Sequence, residues 1–142
     1  MTFPVSDARL QIELTCQLEE VGHAARELEQ FAERNHIPSA VMPHVQLALE
    51  EILTNTITHG LISVANPKLS LSCHVSNQKL ILEVTDNGPE YDPRKTPPNN
   101  IAAGDERDVG GLGVYLAQQM MDGMDYLRRD NCNVLTLWKI WR

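Results

Sequence analysis

The sequence predicts an α+β domain, a two-layer α/β sandwich in which helices cover one face of a mixed, mostly antiparallel sheet. Apolar residues recur at helical spacing in two early segments, at about 19–34 and from 39–43 to 59. Alternating apolar residues mark a first strand near 10–16, a pair of strands at 69–84 and a second pair at about 124–141. Because hairpins predominate over strict βαβ alternation, we expect the helices to gather on one face of the sheet.

Size, composition and charge restrict the classes of function. The 142 residues suffice for one domain with a core, and 42% hydrophobic and 22% charged residues exclude a disordered chain. A net charge of −7 repels nucleic acid and anionic membranes, so we expect neither as a direct partner. No signal peptide or apolar run of about 20 residues is evident, which favours a cytoplasmic protein. Cys16, Cys73 and Cys132 lack CxxC or zinc spacing, so we expect three free, buried thiols.

The second predicted helix carries the first group of chemically informative residues. Glu51, Asn55 and His59 recur every four residues, so they should lie along one line beside the apolar stripe of this helix. The Asn55 carboxamide offers a neutral oxygen to Mg²⁺, and the Glu51 carboxylate suits removal of a proton from an attacking hydroxyl or water. The alternative for Glu51 and Asn55 is an ordinary solvated helix face, and for His59 a packing or capping role.

The second group lies where a predicted strand ends, at Asp86-Asn87-Gly88. An aspartate at a strand end can accept a hydrogen bond from an amino group such as that of adenine. Gly88 lets the backbone approach a flat base closely. The same three residues also form a good turn, and a simple turn is the alternative interpretation.

A long segment, 89–109, separates this strand end from a glycine-rich motif. It holds four prolines and few apolar residues, and a compact domain rarely keeps such a loop unless it acts as a lid or binding loop. A disordered insertion is the alternative. Gly110-Gly111-Leu112-Gly113 follows, directly before a helix predicted at about 112–122, where free amides and the helix dipole favour phosphate oxygens. The motif matches neither a P-loop nor the dinucleotide fingerprint, and a flexible hinge is its alternative.

The order of these elements resembles the GHKL, or Bergerat-fold, ATPase superfamily over nearly the whole chain. Within it, the chain resembles the serine/threonine kinases that act as anti-sigma factors. Residues 49–60 resemble their N box, 86–93 their adenine box, 110–114 their phosphate box and 133–137 their closing strand. One departure is Glu90, which stands where many superfamily members carry a second glycine. The resemblance implies a single histidine kinase-like ATPase domain over residues 1–142, with an ATP lid at about 89–109.

The resemblance also implies ATP and Mg²⁺ as cofactors and a role for each matched residue. Glu51 matches the catalytic base and Asn55 the Mg²⁺ ligand. Asp86 would accept the adenine amino group, with Gly88 beside the ring and Thr136 supporting the aspartate. The remaining nucleotide-binding residues that it implies are His59, Gly110, Gly111, Leu112 and Gly113.

The implied activity is phosphoryl transfer from Mg-ATP to a serine or threonine of an anti-sigma factor antagonist. Such a kinase would also bind a sigma factor and hold it inactive, and the family alone suggests a homodimer. Two alternatives stay open. One is a non-catalytic ATP-binding module that sequesters a partner. The other is a detached histidine kinase catalytic domain, which is disfavoured because one strand and one helix, not a helical pair with a phosphoacceptor histidine, precede the N box.

Overall fold

The structure is a computed structural model that describes residues 7–95 and 109–142. Within these ranges, eight helices and strands follow the chain in the order β1 (Ala8–Leu14), α1 (Glu19–Arg34), α2 (Met42–Asn55), β2 (Leu69–Ser76), β3 (Lys79–Asp86), α3 (Val109–Met120), β4 (Gly123–Arg129) and β5 (Cys132–Ile140). A π-helical turn (Thr56–Gly60) extends α2, and a 3₁₀ turn (Pro93–Lys95) follows β3. Residues 96–108, most of the predicted lid, lie outside the described part.

The strands form one sheet in the order β1-β2-β3-β5-β4. All four pairings are antiparallel, so the predicted α+β sandwich is confirmed, whereas the predicted mixed sheet is corrected to an antiparallel one. The reason lies in the connections. Two pairings are hairpins, and the helical pair α1–α2 returns the chain to the sheet end where β1 stopped, so β2 must run back against β1.

Both hairpin turns are two residues long and adopt the left-handed backbone conformation. Asn77 and Gln78 have φ of 52° and 61°, and Asp130 and Asn131 have φ of 53° and 62°. Two such residues match the right-handed twist of the flanking strands, and asparagine and aspartate tolerate this conformation better than most residues. These turns lie where the sequence predicts them, and they set the register of both hairpins.

The core lies between the helices and the sheet face that they cover. Burying one large aliphatic side chain stabilises the fold by about 1.5–3 kcal/mol. The largest fully buried side chains are Phe31, Leu28, Leu49, Leu53, Leu69, Leu71, Leu80, Leu82, Leu137, Val45, Val84 and Val114. They come from all three helices and from alternate positions of the strands, so the period-two pattern of the sequence corresponds to the covered face.

The bounds of two helices differ from the prediction. The helix expected to reach His59 is α-helical only as far as Asn55 and then widens into the π turn. Helix α3 begins at Val109, so the glycine-rich motif lies inside its first five residues rather than before the helix. It ends at Met120, two residues before the predicted end.

The three cysteines are free, as predicted, but only one of them is buried. Cys73 faces the core from β2, whereas Cys16 and Cys132 are half-buried. Burial raises the pKa of the Cys73 thiol to about 12. In the described part of the chain, no helix is long and apolar enough to cross a membrane.

Candidate active site

One end of the sheet brings together residues that are far apart in sequence. The strand register aligns Leu14, Leu69, Asp86 and Asn133 across four adjacent strands. The end of α2 and its π turn lie over this row, because Gly60 closely approaches Gly88. The predicted adenine box and N box are therefore neighbours in the structure.

The Asp86 carboxylate is held through one of its two oxygens. Oδ1 accepts hydrogen bonds from the Gly88 amide at 2.8 Å and from the Asn133 side-chain amide at 3.0 Å. Among the described residues, none donates a hydrogen bond to Oδ2 of Asp86. Because both protein donors use the same oxygen, the carboxylate is oriented while its second oxygen remains available to a ligand donor such as an amino group.

Gly88 is buried and leaves no room for a side chain. A Cβ atom at this position would lie 2.6 Å from the Gly60 carbonyl oxygen and 3.0 Å from Asp86 Oδ1. The obstruction at Gly60 is backbone, which cannot rotate away as a side chain can. Glycine is therefore needed here for contact with the protein's own π turn, whereas the sequence prediction attributed the need to a bound base.

Helix α3 packs against α2 through a glycine that contacts the predicted catalytic base. A Cβ atom at Gly113 would overlap Glu51 Oε2 and would lie 3.5 Å from the Glu51 Cβ. The Glu51 carboxylate thus lies directly against the N-terminal part of α3, at its fifth residue. The predicted base and the predicted phosphate box are brought together, although about 60 residues separate them in the chain.

The predicted line of three residues on the second helix holds only in part. Glu51 and Asn55 lie one turn apart on α2 and are half-buried. His59 lies in the π turn and is exposed. A π-helix has more residues per turn than an α-helix, so a residue four positions after Asn55 no longer lies on the same line. Threonine hydroxyls accompany the change, since Thr56 and Thr58 donate to the carbonyls four residues earlier at 2.8 and 2.7 Å.

The structure corrects the role predicted for Thr136. Thr136 pairs with Glu83 on β3, three positions from Asp86, and alternation along β5 places it on the sheet face away from the helices. Asn133 pairs with Asp86 instead and supplies the supporting hydrogen bond. Sequence reasoning missed Asn133, because β3 and β5 are not joined by a hairpin turn and no local pattern gives their register.

The first residues after β3 are tied to β4. Arg94 donates to Asp92 Oδ2 at 2.8 Å and to Asp125 Oδ1 at 2.9 Å. The side-chain hydrogen bond from Arg94 is the main reason that the pKa of Asp92 lies below its usual value. Arg94 thus forms ion pairs with two carboxylates, those of Asp92 and Asp125.

Comparison with protein families identifies the fold. The family model of the histidine kinase-like ATPase domain matches residues 14–139. The chain belongs to this family. The resemblance to this superfamily that was inferred from the sequence motifs is confirmed.

Several similar proteins are named as protein kinases. The serine/threonine-protein kinase BtrW of Bordetella bronchiseptica is 29% identical over 111 residues, which cover 78% of each chain. The serine-protein kinase RsbW of Listeria innocua is 24% identical over 119 residues, or 80% of this chain and 76% of that one. The RsbW of Bacillus subtilis is 26% identical over 121 residues, or 80% and 74%.

Solved structures share the fold at low identity. The RsbU and RsbW domains of Rv1364c from Mycobacterium tuberculosis match 94% of this chain with a TM-score of 0.68 and 12% identity. The histidine kinase domain of Erythrobacter litoralis EL346 matches 87% with a TM-score of 0.57 and 18% identity. This chain spans 32% of the first structure and 60% of the second, so these likenesses concern the fold alone.

The candidate site is distinct from the groove between α1 and α2, and the described residues contain no cluster suited to a metal ion. Among residues 7–95 and 109–142, no three histidine, cysteine, aspartate or glutamate side chains are grouped so that they could hold a metal ion. A groove of about 780 Å³ lies between α1 and α2, but none of the predicted site residues lines it. The residues predicted for the site, Glu51, Asn55 and Asp86, therefore lie outside this groove.

Proposed function

We propose that the chain is a serine/threonine protein kinase that binds Mg-ATP at this end of the sheet. The observation that carries the proposal is the contact between Glu51 and Gly113, because it sets a carboxylate near the N-terminal end of a helix. The membership of an ATPase family and the similarity to proteins named serine-protein kinases support the same activity. Phosphoryl transfer needs mainly positioning and charge stabilisation, which such a site can supply.

The adenine base and the phosphates of the nucleotide would each meet protein groups of matching chemistry. Asp86 Oδ2 would accept a hydrogen bond from the adenine amino group, next to the buried Gly88. The amides of the first turn of α3, which includes Gly110, Gly111 and Leu112, lack intrahelical partners and would face the phosphates.

A magnesium ion at this site would be shared between the protein and the phosphates of the nucleotide. Asn55 offers one neutral oxygen, and Mg²⁺ prefers oxygen ligands and commonly takes the others from phosphates and water. When bound, the ion would neutralise phosphate charge during transfer. Asn55 is half-buried at the end of α2, one turn beyond Glu51, so a ligand there would lie beside the carboxylate.

Glu51 would act as the base in the transfer step. Its carboxylate accepts the proton of a serine or threonine hydroxyl while that oxygen forms a bond to the γ-phosphorus. The bond between the γ-phosphorus and the bridging oxygen of ADP breaks, and ADP leaves with its additional negative charge. The contact with Gly113 supports this role because it keeps the carboxylate next to the turn that would hold the phosphates.

The partners are proposed from the resemblance to anti-sigma kinases. The substrate would be an anti-sigma factor antagonist, and a sigma factor would be a second binding partner. A homodimer is proposed from the same resemblance, and the cytoplasmic location favoured by the sequence pattern agrees with it. The acidic net charge of −7 agrees with a protein partner better than with direct binding of nucleic acid.

The test is phosphate transfer to a purified antagonist with ATP and Mg²⁺, followed by mass spectrometry. We expect a phosphoserine or phosphothreonine with the wild type and with Glu50→Gln, an adjacent exposed residue that gives the same charge change. Glu51→Gln should reduce transfer by about a hundredfold or more while it retains nucleotide binding. Absence of product with every antagonist tried, despite ATP binding, would favour a non-catalytic module. Full transfer by Glu51→Gln would exclude Glu51 as the base.

A further inference from the structure

Three side chains of the β4–β5 hairpin form a connected polar cluster, which we call the hairpin clamp: Tyr126, Arg128 and Asn133. The Tyr126 hydroxyl donates to Asn133 Oδ1 at 2.6 Å. Arg128 Nη1 donates to the same oxygen at 3.2 Å and to the Gly88 carbonyl at 2.7 Å. Tyr126 and Arg128 lie two positions apart on β4, so both face the same side of the sheet as Asn133.

The clamp holds the chain from the end of β3 to the beginning of the segment that follows it. The Asn133 amide nitrogen donates to Asp86 Oδ1 at 3.0 Å and to the Pro89 carbonyl at 2.9 Å. The Tyr91 amide donates to Asn133 Oδ1 at 3.1 Å. One side chain therefore connects the proposed base-recognition residue with Pro89 and Tyr91.

The hydrogen-bonding capacity of Asn133 is taken up by the protein. Its oxygen accepts from Tyr126, Arg128 and Tyr91, and its nitrogen donates on the opposite side, so the amide has a single consistent orientation. The residue is only 6% exposed. Buried polar networks of this kind hold one geometry when every member is satisfied. Asn133 therefore acts on a ligand through Asp86 and not by direct contact.

We propose that the hairpin clamp is a positioning device that turns Asp86 Oδ2 toward the ligand and so sets the preference for a base with an exocyclic amino group. The inference rests on the proposed nucleotide-binding function. Tyr126 and Arg128 are positioning residues in this scheme, because they reach Asp86 only through Asn133 and Gly88. Loosening the clamp lets the carboxylate rotate, which weakens a directional bond to an amino group while leaving the phosphate contacts unchanged.

The experiment compares the binding of ATP and of purine riboside triphosphate, which lacks the amino group, by calorimetry with Mg²⁺. The variants are Tyr126→Phe, which removes only the hydroxyl, and Arg128→Met. Arg129→Met is the matched control, since this neighbouring side chain is exposed and its loss changes the net charge equally. We expect the Kd of ATP to rise about three- to tenfold in the two clamp variants. The Kd of purine riboside triphosphate should change less than twofold, and the control should match the wild type.

A second measurement requires no nucleotide. Hydrogen exchange of the Gly88 and Tyr91 amides should accelerate at least threefold in both clamp variants and stay unchanged in Arg129→Met. If the Kd values of both nucleotides rise equally in the clamp variants, the clamp has only a structural role and the proposal is overturned. The proposal is also overturned if the wild type discriminates between the two nucleotides and the ratio of their Kd values is unchanged in the variants.

If the wild type binds no ATP, the proposed function fails. The exchange rates then test the anchoring role alone: faster exchange in the clamp variants would support it, and unchanged exchange would refute it.

Discussion

Gly113 on α3 lies so close to the Glu51 carboxylate on α2 that a single added methyl group would overlap Oε2. The contact joins two segments that the sequence presents as unrelated motifs. It also makes Gly113 a sensitive position, because any side chain there must displace the group proposed to accept the substrate proton.

Gly113→Ala should therefore impair transfer more than stability. The Glu51 side chain can rotate away from the new methyl group, so the fold adapts at little cost, but the carboxylate leaves its position. We expect transfer to the antagonist to fall at least tenfold and the Tm to change by only a few degrees. Gly22→Ala on α1 is the matched control, where the nearest atom is the Arg26 guanidinium at 3.3 Å. Single-turnover assays and thermal unfolding measure both effects, and unimpaired transfer by Gly113→Ala would contradict the role of this contact.

Gly88→Ala should instead destabilise the fold. The added methyl group would lie 2.6 Å from the Gly60 carbonyl, so either the π turn or the strand end must shift. Crowding of this kind typically costs about 1–3 kcal/mol. Gly60→Ala serves as the control from the other side of the contact, because its new methyl group would meet only Thr56 Cγ2 at 3.9 Å. Urea unfolding measures the difference, and equal free energies of unfolding for the two variants would refute the explanation.

Asn133→Ala should weaken both stability and nucleotide binding, whereas Thr136→Ala should change neither appreciably. Removal of the Asn133 amide leaves the Tyr126 hydroxyl and the Pro89 carbonyl without this partner, at about 1–3 kcal/mol for each group that stays buried and unsatisfied. Thr136 lies on the other sheet face, and surface changes usually stay within about 0.5 kcal/mol. Chemical unfolding and ATP calorimetry distinguish the two residues. A larger effect at Thr136 would restore the role predicted from the sequence.

Cys73 should resist alkylation in the folded protein. Burial raises its pKa to about 12, so at pH 8.5 the reactive thiolate is scarce and inaccessible. Burial and the nearby Asp86 carboxylate also raise the pKa of Cys16. We expect iodoacetamide to modify Cys132 and Cys16 before Cys73, with Asp86→Asn accelerating the reaction of Cys16. Mass spectrometry of the labelled peptides gives the order, and early labelling of Cys73 would contradict its burial.

The same pKa shift has a defined effect on stability. The unfolded thiol releases its proton near pH 8.5, whereas the folded thiol keeps it to about pH 12. The contribution of Cys73 to the free energy of unfolding is therefore full below pH 8.5 and declines as the pH rises toward 12. Cys73→Ala should lack this part of the alkaline decline, which pH-dependent unfolding measures.

Most of the elements could be predicted from local sequence patterns. The bounds of α1 agree with the prediction at both ends, and both hairpin turns lie at the polar residues that mark them in the sequence. Helical and strand periodicity depend only on which positions along one segment are apolar, so neighbouring residues suffice to reveal them.

The contacts within the candidate site were harder to predict from local sequence patterns. The π turn after Asn55 and the helical conformation of Gly110–Gly113 both depart from the expected helix bounds, because they depend on how α2 and α3 pack against each other and the sheet. The family resemblance implied Thr136 as the residue that supports Asp86, whereas this support depends on strand register. A single strand contains no information on which residue of another strand will lie beside it.

The order of the motifs alone thus predicted the family to which the chain belongs. Only the tertiary structure decided that Asn133 rather than Thr136 supports Asp86, that Gly88 contacts Gly60 and that Glu51 contacts Gly113. The physical reason is that periodicity and turn preference act within a few residues, whereas these contacts arise when strand pairing and helix packing bring distant segments together.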